Sequence, residues 1–305
     1  MPELPEVETI RRELYPFAVG TNITDAKFLW EGIVHNGEPD EAKRRLLNRT
    51  IKDLGRRGKY LIFSLSDNYF LLIHLKMSGS LILRKQPELP PYYTRAVISL
   101  ANGWDILLVD PRKFATVIVT DRPDMVLSKL GPEPLDNKFT PKVLIEILRQ
   151  HRSPIKVTLT DQESIAGIGN MYADEALFRA KINPLRPANT LSFEEVERLH
   201  RAIIEVLHKG IESKGASTRN YVRPDGNKGS AQLNFQVAHQ GGQPCPCCGT
   251  PIKRITLHGR GTYFCPDCQM DSPKPYCVKI KCYRKGFNCI INHVTETSQV
   301  LDFLC

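Results

Sequence analysis

LGPEPLDNKFTP, residues 130–141, holds three prolines and no apolar period, which marks it as a linker between two lobes of different construction. Upstream of it, LIFSL (61–65), YFLLIHL (69–75), SLILR (80–84), AVISL (96–100), DILLV (105–109) and TVIV (116–119) are short runs rich in Val, Ile and Leu, separated by Gly, Pro and Asn. They predict strands across residues 25–120, closing as a sandwich or barrel. Ahead of them, Val7, Ile10 and Leu14 recur at helical spacing, with Pro5 tolerated in a first turn, so residues 5–14 read as a helix carrying the amino terminus. Downstream the pattern is helical. Ser192 and Glu195 form a capping box, and Val196, Leu199, Ile203, Leu207 and Ile211 continue an apolar stripe to about residue 213.

A length of 305 residues suits two lobes, and 41% hydrophobic with 25% charged residues is ordinary for a globular chain. No run approaches the roughly 18 apolar residues of a membrane span. The amino end is acidic and proline-containing and lacks the basic-then-apolar pattern of a secretory signal, so a cytoplasmic protein is expected. A net charge of +9 suits a polyanionic partner. Its distribution sharpens the point: residues 215–262 hold six basic side chains (Arg219, Arg223, Lys228, Lys253, Arg254, Arg260) against the single acid Asp225.

All nine cysteines lie beyond residue 244, which is not the spread of a secreted disulfide framework. Cys245 and Cys248, then Cys265 and Cys268 after sixteen residues, have the paired spacing of a four-cysteine zinc site. Cys247 is a neighbouring alternative, although CxxC followed by Gly249 favours Cys248. Four thiolates leave no open position for water, so the single zinc ion is expected to be structural. The intervening residues read as a hairpin whose tip carries Arg260 between Gly259 and Gly261, where little bulk hinders approach to a phosphate.

MPELPEVE (1–8), GRRGKY (55–60), HLKMSGSL (74–81), DPRKF (110–114), LGPEPL (130–135), AGIGNMYADE (166–175) and GRGTYFCPDCQ (259–269) together resemble formamidopyrimidine-DNA glycosylase. The resemblance implies an α+β chain: an N-terminal helix and β-sandwich catalytic lobe over 1–135, a helix-two-turn-helix DNA-binding lobe over 136–240, and a four-cysteine zinc finger over 241–269. It also implies a monomer acting on double-stranded DNA with oxidised bases or abasic sites, with no membrane partner. The activity implied is excision of oxidised purines followed by β- and δ-elimination.

The nucleophile implied is the nitrogen of Pro2, exposed once Met1 is removed. An α-amino group with a pKa of about 7.7–8.0, against about 10.4 for lysine, is unprotonated at pH 7 roughly three hundred times more often. A secondary amine can still condense with a carbonyl carbon to give an iminium that draws electrons from the sugar. Glu3 resembles the family's catalytic acid, and Glu6, three residues on, is a supporting acid. The resemblance makes Lys59, His74 and Asn170 phosphate contacts. Met77, Arg112 and Phe114 match its intercalating trio, with Lys113 beside them, and fill the gap left by an extruded base. Residues 215–232, with Thr218, Arg219, Asn220 and Tyr221 at their centre, resemble its lesion-capping loop.

Two features depart from the family. Lys76 stands where a smaller residue is common, which bears on how the Met77 finger meets DNA. Residues 270–305, with Cys277, Cys282, Cys289 and Cys305, extend past the usual end and form no two clear knuckles. Two other readings remain: an endonuclease VIII-like glycosylase for oxidised pyrimidines, and a non-catalytic binder of damaged DNA that keeps the fold.

Overall fold

The computed structural model describes residues 1–218 and 220–270; Arg219 and residues 271–305, with the four late cysteines, lie outside the described residues. Helix α1 spans Leu4–Ala18 and so runs a turn beyond its sequence expectation. The apolar stripe explains the excess, since its next member after Leu14 is Ala18, fully buried, and Pro16 is accommodated in the last turn. Gly20, at φ +83°, then reverses the chain.

Strands β1 (Ile23–Phe28), β2 (Ile51–Arg57), β3 (Tyr60–Leu65), β4 (Phe70–His74), β5 (Ser80–Lys85), β6 (Thr94–Leu100), β7 (Trp104–Val109) and β8 (Thr116–Thr120) form two antiparallel sheets, ordered β1-β6-β7-β5 and β2-β3-β4-β8. Leu61, Phe63, Leu71 and Ile73 from one sheet meet Ile98, Ile106 and Leu108 from the other in one core. Each such side chain removed from water contributes about 1.5–3 kcal/mol. The six apolar runs all fall in strands. A helix α2 (Pro39–Leu46) interrupts residues 25–120, and it escapes sequence reading because Ala42 and Leu46 are its only buried residues.

A short α3 (Asp124–Leu127) leads into the linker. The carboxylate of Glu133 there accepts from Arg56 (2.9 Å), Arg57 (3.2 Å) and the Gly58 amide, strapping the linker to the β2–β3 turn. Helices α4 (Pro141–Arg149), α5 (Ile155–Thr160), α6 (Asn170–Arg179) and α7 (Phe193–Glu212) build a second core. The capping box at Ser192 and Glu195 is formed, and all five residues of the α7 stripe are buried. Strands β9 (Lys253–Leu257) and β10 (Arg260–Phe264) pair as the expected hairpin. Helix α1 joins the halves: Leu4 packs in the helical core, while Val7, Ile10 and Leu14 pack in the β core. Among the described residues no helix is long and apolar enough to cross a membrane.

Candidate active site and nucleic-acid interface

Pro2 is buried beneath an exposed Met1, at the point where α1 meets the second lobe. The Leu4 amide donates to Gly167 O (3.0 Å), which docks the amino terminus on the turn preceding α6. Glu3, 2% exposed, accepts through its carboxylate from the amides of Met171 (3.0 Å) and Tyr172 (3.4 Å). Those amides belong to the first turn of α6, where unpaired N–H groups attract an anion. Gly169 makes the approach feasible, because a Cβ there would fall within the Glu3 carboxyl group. The GIGN segment is therefore a seat for Glu3, beyond being a turn.

Glu6 is fully buried and accepts from the Glu3 amide (2.8 Å), the Tyr172 hydroxyl (2.8 Å) and the Ala216 amide (2.7 Å). Burial, with the Glu3 charge beside it, pushes its pKa up to about 7. One carboxyl group thus ties together the amino terminus, α6 and the entry to the 215–232 loop. Lys59, 4% exposed, donates from Nζ to Ile168 O (2.9 Å), and burial brings its pKa down to about 8. It therefore faces the same turn as Glu3. His74 packs edge-on to Tyr60, and burial followed by the Lys76 and Lys59 charges pushes it down to about 3. Its Nδ1 accepts from the Lys76 amide (3.0 Å), so the neutral ring carries its proton on Nε2 and can donate it outward.

Met77 and Phe114 are exposed at 49% and 43%, on the β4–β5 and β7–β8 turns rather than in the β core. The Arg112 guanidinium lies 4.6 Å from the Phe114 ring centroid, with Nη1 3.9 Å from Met77 Sδ. Lys113, at φ +60°, holds its Nζ 5.7 Å from the Trp30 ring. Sequence reasoning missed the residue that organises these turns. Asp110, fully buried, accepts from Ser78 Oγ (2.5 Å) and the amides of Arg112 (3.1 Å), Phe114 (2.6 Å) and Ala115 (2.7 Å). The signal was present in DPRKF, since Asp before Pro at a strand end commonly bonds backbone amides just downstream.

Asn170 Nδ2 donates to Gly261 O (2.8 Å), and its buried Oδ1 has no partner among the described residues. Lys156, also unforeseen, pairs with Asp174 (2.7 Å) and donates to Gly261 O (3.0 Å) and Thr262 Oγ1 (2.9 Å). These contacts clamp the hairpin to α5 and α6 and leave Arg260, at the start of β10, exposed beside them. Within the candidate loop, Thr218 and Asn220 are exposed, whereas Tyr221 is buried against the β core and donates its hydroxyl to Lys214 O (3.1 Å). Further on, Leu83 N donates to Pro224 O (2.8 Å) and Arg223 pairs with Glu13 (2.7 Å), so the loop leans on the first lobe.

The sulfurs of Cys245, Cys248, Cys265 and Cys268 lie within 4.8 Å of one another, while Cys247 is exposed outside the cluster. Thiolates about 2.3 Å from a tetrahedral ion would be separated by under 4 Å, and the pairs Cys245–Cys268 (3.8 Å) and Cys248–Cys265 (3.4 Å) fit that spacing. The amides of Cys247 and Cys268 point at Cys245 and Cys265 Sγ (3.4 Å each), as knuckle turns around a metal require. The residues fit a structural zinc ion.

A β-sandwich, a helical lobe and a zinc finger converge on a buried Pro2 flanked by carboxylates, with basic and exposed apolar side chains at the rim; this is the class of two-lobed, zinc-finger enzymes that act on DNA. The chain belongs to the formamidopyrimidine-DNA glycosylase family and is a DNA glycosylase of base excision repair. The family's N-terminal domain matches residues 1–117, its H2TH domain residues 130–222, and the zinc finger found in FPG and IleRS residues 242–269. Formamidopyrimidine-DNA glycosylase of Pelotomaculum thermopropionicum is 41% identical over 273 residues, covering 88% of this chain and 99% of that protein. The Chloroflexus aurantiacus protein is 42% identical over 278 residues, covering 90% and 100%. Among solved structures, MutM (Fpg) of Thermus thermophilus superposes with a TM-score of 0.81 at 39% identity, covering 89% of this chain and 100% of that one. Lactococcus lactis Fpg in complex with abasic-site DNA gives 0.81 at 38% identity, covering 88% and 99%.

Proposed function

We propose that the chain is a bifunctional glycosylase and abasic-site lyase that removes oxidised purines, 8-oxoguanine and formamidopyrimidines, from duplex DNA and cuts the strand by β,δ-elimination. The observation that carries this reading is the juxtaposition of Pro2 with Glu3, whose carboxyl is seated on the first turn of α6. A Lactococcus lactis Fpg mutant occurs in complex with DNA containing Fapy-dG, and Lactococcus lactis Fpg with abasic-site DNA, and these ligands are carried over here as substrates.

With Met1 removed, the Pro2 nitrogen attacks C1′ of the damaged nucleotide and the base leaves with the electron pair of its glycosidic bond. Glu3 supplies the proton that opens the deoxyribose ring, giving an iminium on Pro2. That cation acidifies the adjacent sugar C–H, so the 3′ and then the 5′ phosphate is eliminated. Glu6 holds the amino terminus in place. Lys59, His74, Asn170 and Arg260 hold the flanking phosphates, and Met77, Arg112 and Phe114, with Lys113, fill the vacated stack. The loop bearing Thr218, Arg219, Asn220 and Tyr221 closes on the extruded base.

In this reading residues 1–135 form the catalytic lobe, 136–240 the DNA-binding helical lobe, 241–269 the finger and 270–305 an appended segment. The enzyme works as a cytoplasmic monomer associated with the nucleoid. The test is borohydride trapping on matched duplexes. Processed protein should cross-link to 8-oxoguanine DNA and release that base, whereas release of thymine glycol alone would overturn the purine assignment, and no adduct on any lesion would overturn the lyase.

A further inference from the structure

Lys76 occupies a backbone position that disfavours it. Its φ is +50°, in the left-handed region that residues bearing a Cβ enter at a cost and that glycine enters freely. Costly conformations of this sort persist where surrounding contacts enforce them, and they concentrate at functional sites. Here the enforcing contact is the Lys76 amide, which donates to His74 Nδ1 (3.0 Å) and turns the chain back toward that ring.

The side chain that results is half-buried, immediately before the exposed Met77. Burial, and after it the Lys76 and Lys59 charges, keep the neighbouring His74 imidazole neutral. Lys76 thus stands between a neutral His74 and the exposed Met77, whose Sδ lies 3.9 Å from the Arg112 guanidinium. Among the described residues the Lys76 ammonium has no acidic partner, unlike Arg56, Arg57 and Arg223 nearby in the same lobe or loop. A cation without a counter-ion, on a turn that glycine would satisfy better, is matched to an anion supplied from outside.

We propose that Lys76 is a further DNA contact, gripping a backbone phosphate next to the nucleotide that the Met77 finger displaces. The inference rests on the DNA cleft described under the proposed function. It adds one neutralised phosphate to that cleft, and its signature is the salt dependence of binding, because each such contact releases condensed counterions.

The test compares wild type with Lys76→Gly, Lys76→Asn and Lys76→Arg on a duplex carrying an abasic-site analogue, over a range of salt concentrations. Gly and Asn both tolerate the left-handed turn and lack the charge, so a purely structural role would leave them unimpaired. Both are expected to reduce the slope of log K against log salt by about 1 and to weaken affinity, with no fall in thermal midpoint. Lys76→Arg should keep the wild-type slope. Unchanged slope and affinity in Lys76→Gly and Lys76→Asn would overturn the proposal, as would a loss that Lys76→Arg shares. Arg260→Ala serves as a control: if wild type itself bound no DNA, or Arg260→Ala left the slope intact, the cleft reading would fail rather than this addition to it.

Discussion

The Glu3 carboxyl group rests against the bare Cα of Gly169, on the amides that open α6. Gly169 has an extended backbone at φ −128°, so the glycine is required for space and not for its dihedral freedom.

Gly169→Ala is therefore expected to move Glu3 off its seat. A displacement of about 1 Å of a catalytic group costs on the order of 100-fold in rate. Single-turnover excision should fall by about that factor while DNA affinity stays near wild type. Excision at the wild-type rate would mean that Glu3 is not the acid.

Pro2→Gly should lose most base excision and strand cleavage. The substitution replaces the ring-constrained secondary amine with a mobile primary one, and the reacting geometry is lost with it. Gel assays of cleavage and borohydride trapping measure both losses. Intact-mass measurement of the amino terminus must accompany them, since retained Met1 blocks the nitrogen in either protein.

Glu6 makes stability depend on pH. Its folded pKa is raised to about 7 from an ordinary 4.5, so the folded state holds this proton more tightly than the unfolded one. The associated stabilisation is complete below about pH 4.5 and is lost as pH rises through about 7, amounting to on the order of 3 kcal/mol. Urea unfolding of wild type and Glu6→Gln at pH 5 and pH 7.5 measures it. The difference in stability between the two proteins should change by about that amount across the interval. A constant difference would show that Glu6 does not titrate there.

Asp110→Asn should misplace the turns that bear Met77, Arg112 and Phe114. Asp110 accepts with both oxygens, and a carboxamide has only one, so either the Phe114 and Ala115 amides or the Ser78 hydroxyl and Arg112 amide lose their acceptor; leaving buried donors unmet costs about 1–3 kcal/mol. Fluorescence of 2-aminopurine placed opposite the lesion reports whether the orphaned base is still unstacked. We expect a weaker signal and lower kcat/KM on lesion DNA, with melting reduced in step with that cost. An unchanged signal would remove Asp110 from this role.

Stripping zinc should unfold the finger and abolish DNA affinity, because a structural metal's binding energy is folding energy for so small a subdomain. Atomic absorption confirms removal, and an electrophoretic shift assay reads the loss. Full affinity in verified apo-protein would show that the hairpin does not depend on the metal.

Most of the architecture was written in local patterns. The apolar strand runs, the α7 stripe with its Ser192–Glu195 cap and the paired CxxC spacing each depend on neighbours within a few residues or one hairpin, so periodicity and capping chemistry determine them from the chain alone. Strands β1 and β2 carry no apolar run of their own, since each buries only two residues three positions apart, and α2 leaves no stripe because it too buries only two. The tertiary structure alone decided the contacts that give single residues their chemistry. Glu6 and Ala216 are joined across 210 positions, Glu3 and Met171 across 168, and Lys59 and Ile168 across 109. A raised carboxyl pKa, a lowered lysine pKa or an orphaned amide oxygen arises from desolvation by remote groups, and no spacing along the chain encodes which remote groups those will be.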